Sequence, residues 1–149
     1  LRLAVGRCPV EFPHVNYLAV LVASVIIFIL GALWYSPLLF QKKWIALMKI
    51  SEEDMKRAES TTNMPAMLGM AFVCGLLVSF AMAVIIGRCG DMSVLGGAAL
   101  GVICWIGFAG ATSFATALFS MQNKQLWLIN SAYNLVSFVI AGTLLAAWK

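Results

Sequence analysis

The side chains in this chain best suited to hold a polar molecule are neutral and sit late in the sequence. Asn130, Tyr133, Asn134 and Ser137 are spaced three and four residues apart, which puts them on one helix face. An amide offers two donors and an acceptor, and leaving it unpaired in an apolar setting is unfavourable. The stripe therefore has two open roles. It forms hydrogen bonds between helices, or it is the polar wall of a site for a small neutral or lipid-like ligand. Trp105 stands apart, in the middle of an apolar run where tryptophan is uncommon. It either fills space opposite glycines or lines a cavity with the stripe.

Other chemistries lack their residues. His14 is the single histidine, so a haem held by two histidines of one chain is excluded. Cys8, Cys74, Cys89 and Cys104 form no C-x-x-C pair, which removes the usual zinc spacing. Gly96, Gly97 and Gly101 lie inside an apolar run and do not form a phosphate-cradling loop. No catalytic, cofactor-binding or metal-binding set is expected. Met64, Met67 and Met70 put three soft thioethers along one helix face, a pattern that suits Cu(I) and equally suits apolar filling. An enzyme would have to draw on the carboxylates Glu52, Glu53 and Asp54. Cys8 and Cys89 fall on the same side of a membrane by topology, where a disulfide is chemically allowed if that side is extracytoplasmic, and two unpaired thiols are the simpler expectation.

The elements that carry these residues follow from composition. Of the 149 residues, 62% are hydrophobic and 11% charged, against about 45–50% and about 25% in soluble domains. Four stretches, 15–35, 64–86, 93–119 and 126–148, contain no Asp, Glu, Lys or Arg. About 20 helical residues cross a hydrocarbon core of about 30 Å. Backbone groups in lipid must be satisfied internally, so the stretches must be helices. The expected fold is an all-α, integral membrane four-helix bundle forming one domain. The first stretch is too long for a signal-peptide core of roughly 7–15 residues and is read as a retained span. The third is long enough to imply tilt or a protruding end. Without ionisable residues in the spans, charge-coupled transport is disfavoured.

Residues 36–63 form the one long polar loop. Residues 38–50 are amphipathic at helical spacing: Phe40, Trp44, Leu47 and Met48 share a face, with Lys42 and Lys49 on the other. An interfacial helix is expected there, with its lysines at lipid phosphates and with Trp34, Tyr35 and Trp44 at the same level. Ser51 then caps a short solvated helix whose first turn is acidic. Net charge is +4, with scattered basic residues and no nucleic-acid footprint. The first loop holds Lys42, Lys43, Lys49, Lys56 and Arg57 and the third loop Lys124, against Arg2, Arg7, Arg88 and Lys149 on the opposite side, a bias that favours a cytoplasmic first loop and extracytoplasmic termini in a cell membrane.

Small residues mark close contacts. Gly75, Ser79, Ala83 and Gly87 recur every four residues, a ladder that lets another helix approach. Gly97, Gly101, Trp105, Phe108, Thr112 and Thr116 share a face of the third span. These stripes favour homo- or hetero-oligomerisation. An internal repeat is also conceivable, since residues 31–40 resemble residues 110–119.

The run Gly31-Ala32-Leu33-Trp34-Tyr35-Ser36-Pro37-Leu38-Leu39-Phe40, with Trp44, Asn134-Leu135-Val136-Ser137 and Ala146-Ala147-Trp148, resembles an uncharacterised bacterial membrane family, the domain of unknown function 1761. The resemblance covers the chain from Asn16 onward and implies a four-helix membrane protein without bringing an activity. The functional expectation is a non-enzymatic scaffold, accessory subunit or binder of a lipid-like or small neutral ligand. The alternative is a small transporter or channel for a neutral solute, built around Asn130, Tyr133, Asn134 and Trp105.

Overall fold

The computed structural model describes residues 13–148, apart from the side chains of Glu52, Ala58 and Glu59. Helix α1 (Tyr17–Trp34) leads into α2 (Gln41–Met48) and α3 (Glu52–Thr61), and α4 (Met64–Arg88) follows. Next come α5 (Val94–Cys104), a π-helical segment (Trp105–Gly110), α6 (Ala111–Phe119) and α7 (Lys124–Ala147). No strand occurs among the described residues. Four helices are long and apolar enough to cross a membrane: α1, α4, the continuous stretch Val94–Phe119, and α7. The fold is therefore that of an all-helical, multi-pass membrane protein.

Each span begins at a side-chain cap. Asn16, Asn63 and Ser93 accept the backbone N–H of Ala19, Ala66 and Gly96, and Asn123 accepts that of Gln125. These contacts satisfy first-turn donors that have no partner inside a helix. Pro65 stands in the first turn of α4, where its missing N–H is harmless. Helix α4 runs two residues past the uncharged stretch to end on Arg88, a cation placed well at a helix C-terminus. Helix α7 starts at Lys124, directly after its cap.

The amphipathic segment of the loop is shorter than its pattern. Residues 36–40 form turns, and α2 ends before Lys49, whose φ of 53° stops the helix in the left-handed region. Ser51 caps α3 as expected: its Oγ accepts the Asp54 N–H at 3.1 Å and donates to Asp54 Oδ2 at 2.6 Å. The likeness between residues 31–40 and 110–119 does not extend to conformation. The first segment leaves the helix after Trp34, while the second stays helical to Phe119.

Helix α7 is the hub. It packs on α1, α4 and most extensively α5, while α1 and α4 form a second close pair and α4 and α5 hardly touch. Both small-residue stripes are used within the chain. A Cβ on Gly75 would lie 3.8 Å from Ile27 and from the Ser24 carbonyl of α1, and one on Gly87 would lie 2.9 Å from Pro13. Ser79 and Ala83 are buried between them. Gly97 and Gly142 face each other backbone to backbone, and Gly101 faces the backbone at Phe138. At each of these three glycines a Cβ would overlap main-chain atoms that cannot rotate away.

The third span departs from its expected face at Trp105. Gly97, Gly101 and Cys104 are buried, but Phe108, Thr112 and Thr116 are exposed, and the inward positions become Gly110, Ser113 and Ala117. The π-helical turn supplies the reason. Its i→i+5 bonding holds one more residue than an α-turn, so everything after it is rotated by about 100° against an uninterrupted α-helix. The Thr112 hydroxyl donates to the Phe108 carbonyl at this bulge.

The glycine contact predicts a position-specific sensitivity. Gly142→Ala should destabilise the protein by about 1–3 kcal/mol, the usual range for overpacking, measured by thermal unfolding in detergent. Gly69→Ala, whose Cβ would meet nothing within 4 Å, should leave the midpoint unchanged or raise it.

Candidate functional site

The site is built where α1 stops. After Trp34 the Ser36 Oγ donates to the Leu33 carbonyl at 2.7 Å, and the Phe40 N–H donates to the Trp34 carbonyl at 3.2 Å. Proline disfavours helix at the residue before it, so Pro37 ends the span and the chain turns back. The Trp34 and Phe40 rings pack with centroids 4.9 Å apart. This turn lays α2 against α7.

Three indoles then converge on one turn of α7. Trp34 Nε1–H donates to the Ile129 carbonyl at 3.1 Å, Trp44 Nε1–H to Asn130 Oδ1 at 3.1 Å, and Trp105 Nε1–H to the Ser131 carbonyl at 3.0 Å. The donors come from α1, α2 and the π-helical turn, and the acceptors are consecutive residues. Asn130 Oδ1 also accepts from the Tyr35 hydroxyl at 3.0 Å. An indole nitrogen can only donate, so the Asn130 amide presents its oxygen to Trp44 and its NH2 lies on the other side. Tyr133 turns toward α1, donating to the Ile27 carbonyl at 3.3 Å and packing edge-on to Tyr35. It lies so close to Gly31 that a Cβ there would be 3.1 Å from its hydroxyl.

The expected polar stripe therefore divides. Asn130 and Asn134 border a recess of about 300 Å³ between α6 and α7, whose other lining residues are Ser113, Thr116, Gln122, Trp127 and Ser131. Tyr133 belongs to the aromatic cluster, and Ser137 is buried with its Oγ donating to the Tyr133 carbonyl. Trp105 is not among the lining residues; its ring packs on Gly110, where a Cβ would lie 3.3 Å from Cε2 and Cζ2. Trp105 thus fills space opposite a glycine, and that glycine belongs to its own turn.

No lining residue carries a charge. The Trp127 indole donates to Ser113 Oγ at 3.1 Å, Ser113 donates to the Gly110 carbonyl, and the Phe114 ring packs on Trp127. Asn134 finds no partner for its amide among the described residues. Ser131 Oγ is buried without a hydrogen bond. Sequence reasoning did not single out Ser113, Gln122, Trp127 or Ser131. Trp127, Asn130, Ser131 and Asn134 are spaced three, one and three apart, so extending the asparagine stripe toward the start of α7 would have found two of them. Ser113 was hidden by the rotation at the π-helical turn.

The family model described as Protein of unknown function (DUF1761) matches residues 18–146. The chain belongs to this family. No curated protein and no solved structure matches it. In this DUF1761 member, the aromatic-serine-proline segment that carried the resemblance is the turn that seats Tyr35 and Trp44 on Asn130.

The remaining candidates are not brought to this site. Met64, Met67 and Met70 are exposed along the start of α4, and His14 lies at the other end of that helix, its carbonyl 3.7 Å from a Cβ built on Gly87. Among the described residues no group of three His, Cys, Asp or Glu side chains could hold a metal ion. Glu53 and Asp54 are exposed on α3, and the Glu52 side chain is not described. Cys89 is exposed; Cys8, with Arg2, Arg7 and Lys149 of the charge pattern, lies outside the described residues.

The shared acceptor gives a direct test. Asn130→Leu leaves a phenol and an indole without their acceptor and should destabilise the protein by about 1–3 kcal/mol. It should also detach α2, read as faster proteolysis after Lys42 and Lys43. Tyr35→Phe, which removes one donor and leaves the acceptor to Trp44, should have the smaller effect on both readouts.

Proposed function

We propose that this protein binds an uncharged, hydrogen-bonding molecule, either a small solute or the polar head of a neutral lipid, in the recess between α6 and α7. The observation that carries this reading is the Asn134 amide, unpartnered among the described residues and bordering a recess without charged lining. Beside it stand the Asn130 NH2, turned away from Trp44, and the buried, unpaired Ser131 hydroxyl. In an apolar surround each unmade hydrogen bond is unfavourable, so these groups favour a guest that supplies both donors and acceptors. A charged guest would find no counter-ion there.

Binding is favoured over passage through the protein. Between the recess and the opposite end of the bundle the core is closed by Met82, Ala141 and Leu145, which are 1%, 0% and 4% exposed. The glycines of the small-residue stripes that argued for a partner subunit make contacts within the chain, while Phe108, Thr112 and Thr116 are exposed. A scaffold or accessory role would therefore have to use these or other exposed surfaces.

The test is a structure of the protein in lipid nanodiscs, with mass spectrometry of small molecules and lipids that co-purify. Ordered density contacting Asn134, with a co-purified neutral molecule whose retention falls about tenfold in Asn134→Leu, is expected; tenfold is the weight of one hydrogen bond left unmade. A recess without density, or equal retention by Asn134→Leu and the native chain, would overturn the reading.

A further inference from the structure

Helix α2 has charges and apolar side chains that the recess does not use. Lys42, Lys43 and Lys49 are all exposed, and residues 36–51 contain no Asp or Glu. Acidic residues of the loop begin only with α3, where Glu53 and Asp54 stand beside Lys56 and Arg57. The loop is thus divided by sign: α2 is purely cationic and α3 mixed. Immediately before α2, Leu38 is 84% exposed and Leu39 55% exposed.

The depth of α2 is fixed by its anchor. Trp44 donates to Asn130, which is six residues into α7 (Lys124–Ala147), about 9 Å along the helix axis from its start. That places α2 alongside a membrane-crossing helix rather than beyond its end. An interfacial helix lies about 5–10 Å into the boundary between headgroups and acyl chains. At that depth exposed leucines meet acyl chains, and lysines reach upward to phosphates.

We propose that α2 and the Leu38–Leu39 step before it form a docking surface for anionic phospholipid, with Lys42, Lys43 and Lys49 taking the lipid phosphates. Zwitterionic lipid offers the same phosphate without net charge, so the surface selects lipids carrying a net negative headgroup. A lysine near an anionic leaflet favours association by about fivefold, and the three act on one short segment. This surface is separate from the neutral recess and stands or falls independently of the ligand proposed there.

The experiment uses the full chain in bilayers of phosphatidylcholine, with spin-labelled phosphatidylglycerol or spin-labelled phosphatidylcholine as probe. The ratio of their association with the protein is read from the motionally restricted fraction. The native chain should prefer phosphatidylglycerol. The triple variant Lys42→Gln, Lys43→Gln, Lys49→Gln should lose about fivefold or more of that preference, with an unchanged thermal midpoint because the side chains are exposed. The pair Lys56→Gln, Arg57→Gln should keep the preference. The proposal is overturned if the native chain shows no preference, if the triple variant retains it, or if the α3 pair removes as much. It is also overturned if inorganic phosphate abolishes the preference where chloride at equal ionic strength does not, since the site would then belong to free phosphate.

Discussion

Three indole N–H groups bonded to three consecutive residues of α7 hold this protein's first-loop side together. An indole N–H in an apolar medium needs an acceptor, and helix carbonyls keep a second lone pair after their own ladder bond. The turn Ile129–Asn130–Ser131 uses both facts. Two backbone carbonyls and one side-chain oxygen receive donors from α1, α2 and the π-helical turn. The end of the first span, helix α2 and the middle of the third span are thereby fixed to one place on the fourth.

At the other end of α7 the restraint is contact rather than hydrogen bonding. Gly97 and Gly142 let α5 and α7 meet backbone to backbone, and Ala141, Leu145 and Met82 close the core beside them. In lipid the hydrophobic effect gives little drive for helices to associate, so close packing of small residues takes its place. Helix α7 therefore works in two registers: aromatic and polar near its start, small and tightly packed near its end. The recess lies in the first half, where bulky rings and amides leave space that glycines would have removed.

Much of this was legible in the residues. The spans, their Asn and Ser caps, the stop at Pro37 and the amphipathic α2 follow from local chemistry, which acts over a few residues. The stripes of small residues were also legible, but their partners were not, since a ladder is equally able to receive a helix of its own chain or of another. The polar stripe is visible in the spacing, but which neighbour each member meets is not. Asn130, Tyr133, Asn134 and Ser137 do share a helix, yet they divide among the recess, the aromatic cluster and the buried core because α7 packs against several helices at once. Trp34, Trp44 and Trp105 were each noticed without any sign that they meet, since convergence across 95, 86 and 26 residues of separation is a tertiary fact.

The π-helical turn makes the third span two helices with separate phases. The phase of α5 is set by Gly142 and the backbone at Phe138, and that of α6 by Trp127 holding Ser113. Neither half can be brought into line with the other without breaking one of these contacts, so the extra residue is locked in place by both ends. A relative shorter by one residue between Trp105 and Gly110 would present a different column of side chains to α7 while keeping every span at membrane length. Length and hydropathy are blind to such a change, and a family can alter the lining of this recess by counting residues rather than by replacing them.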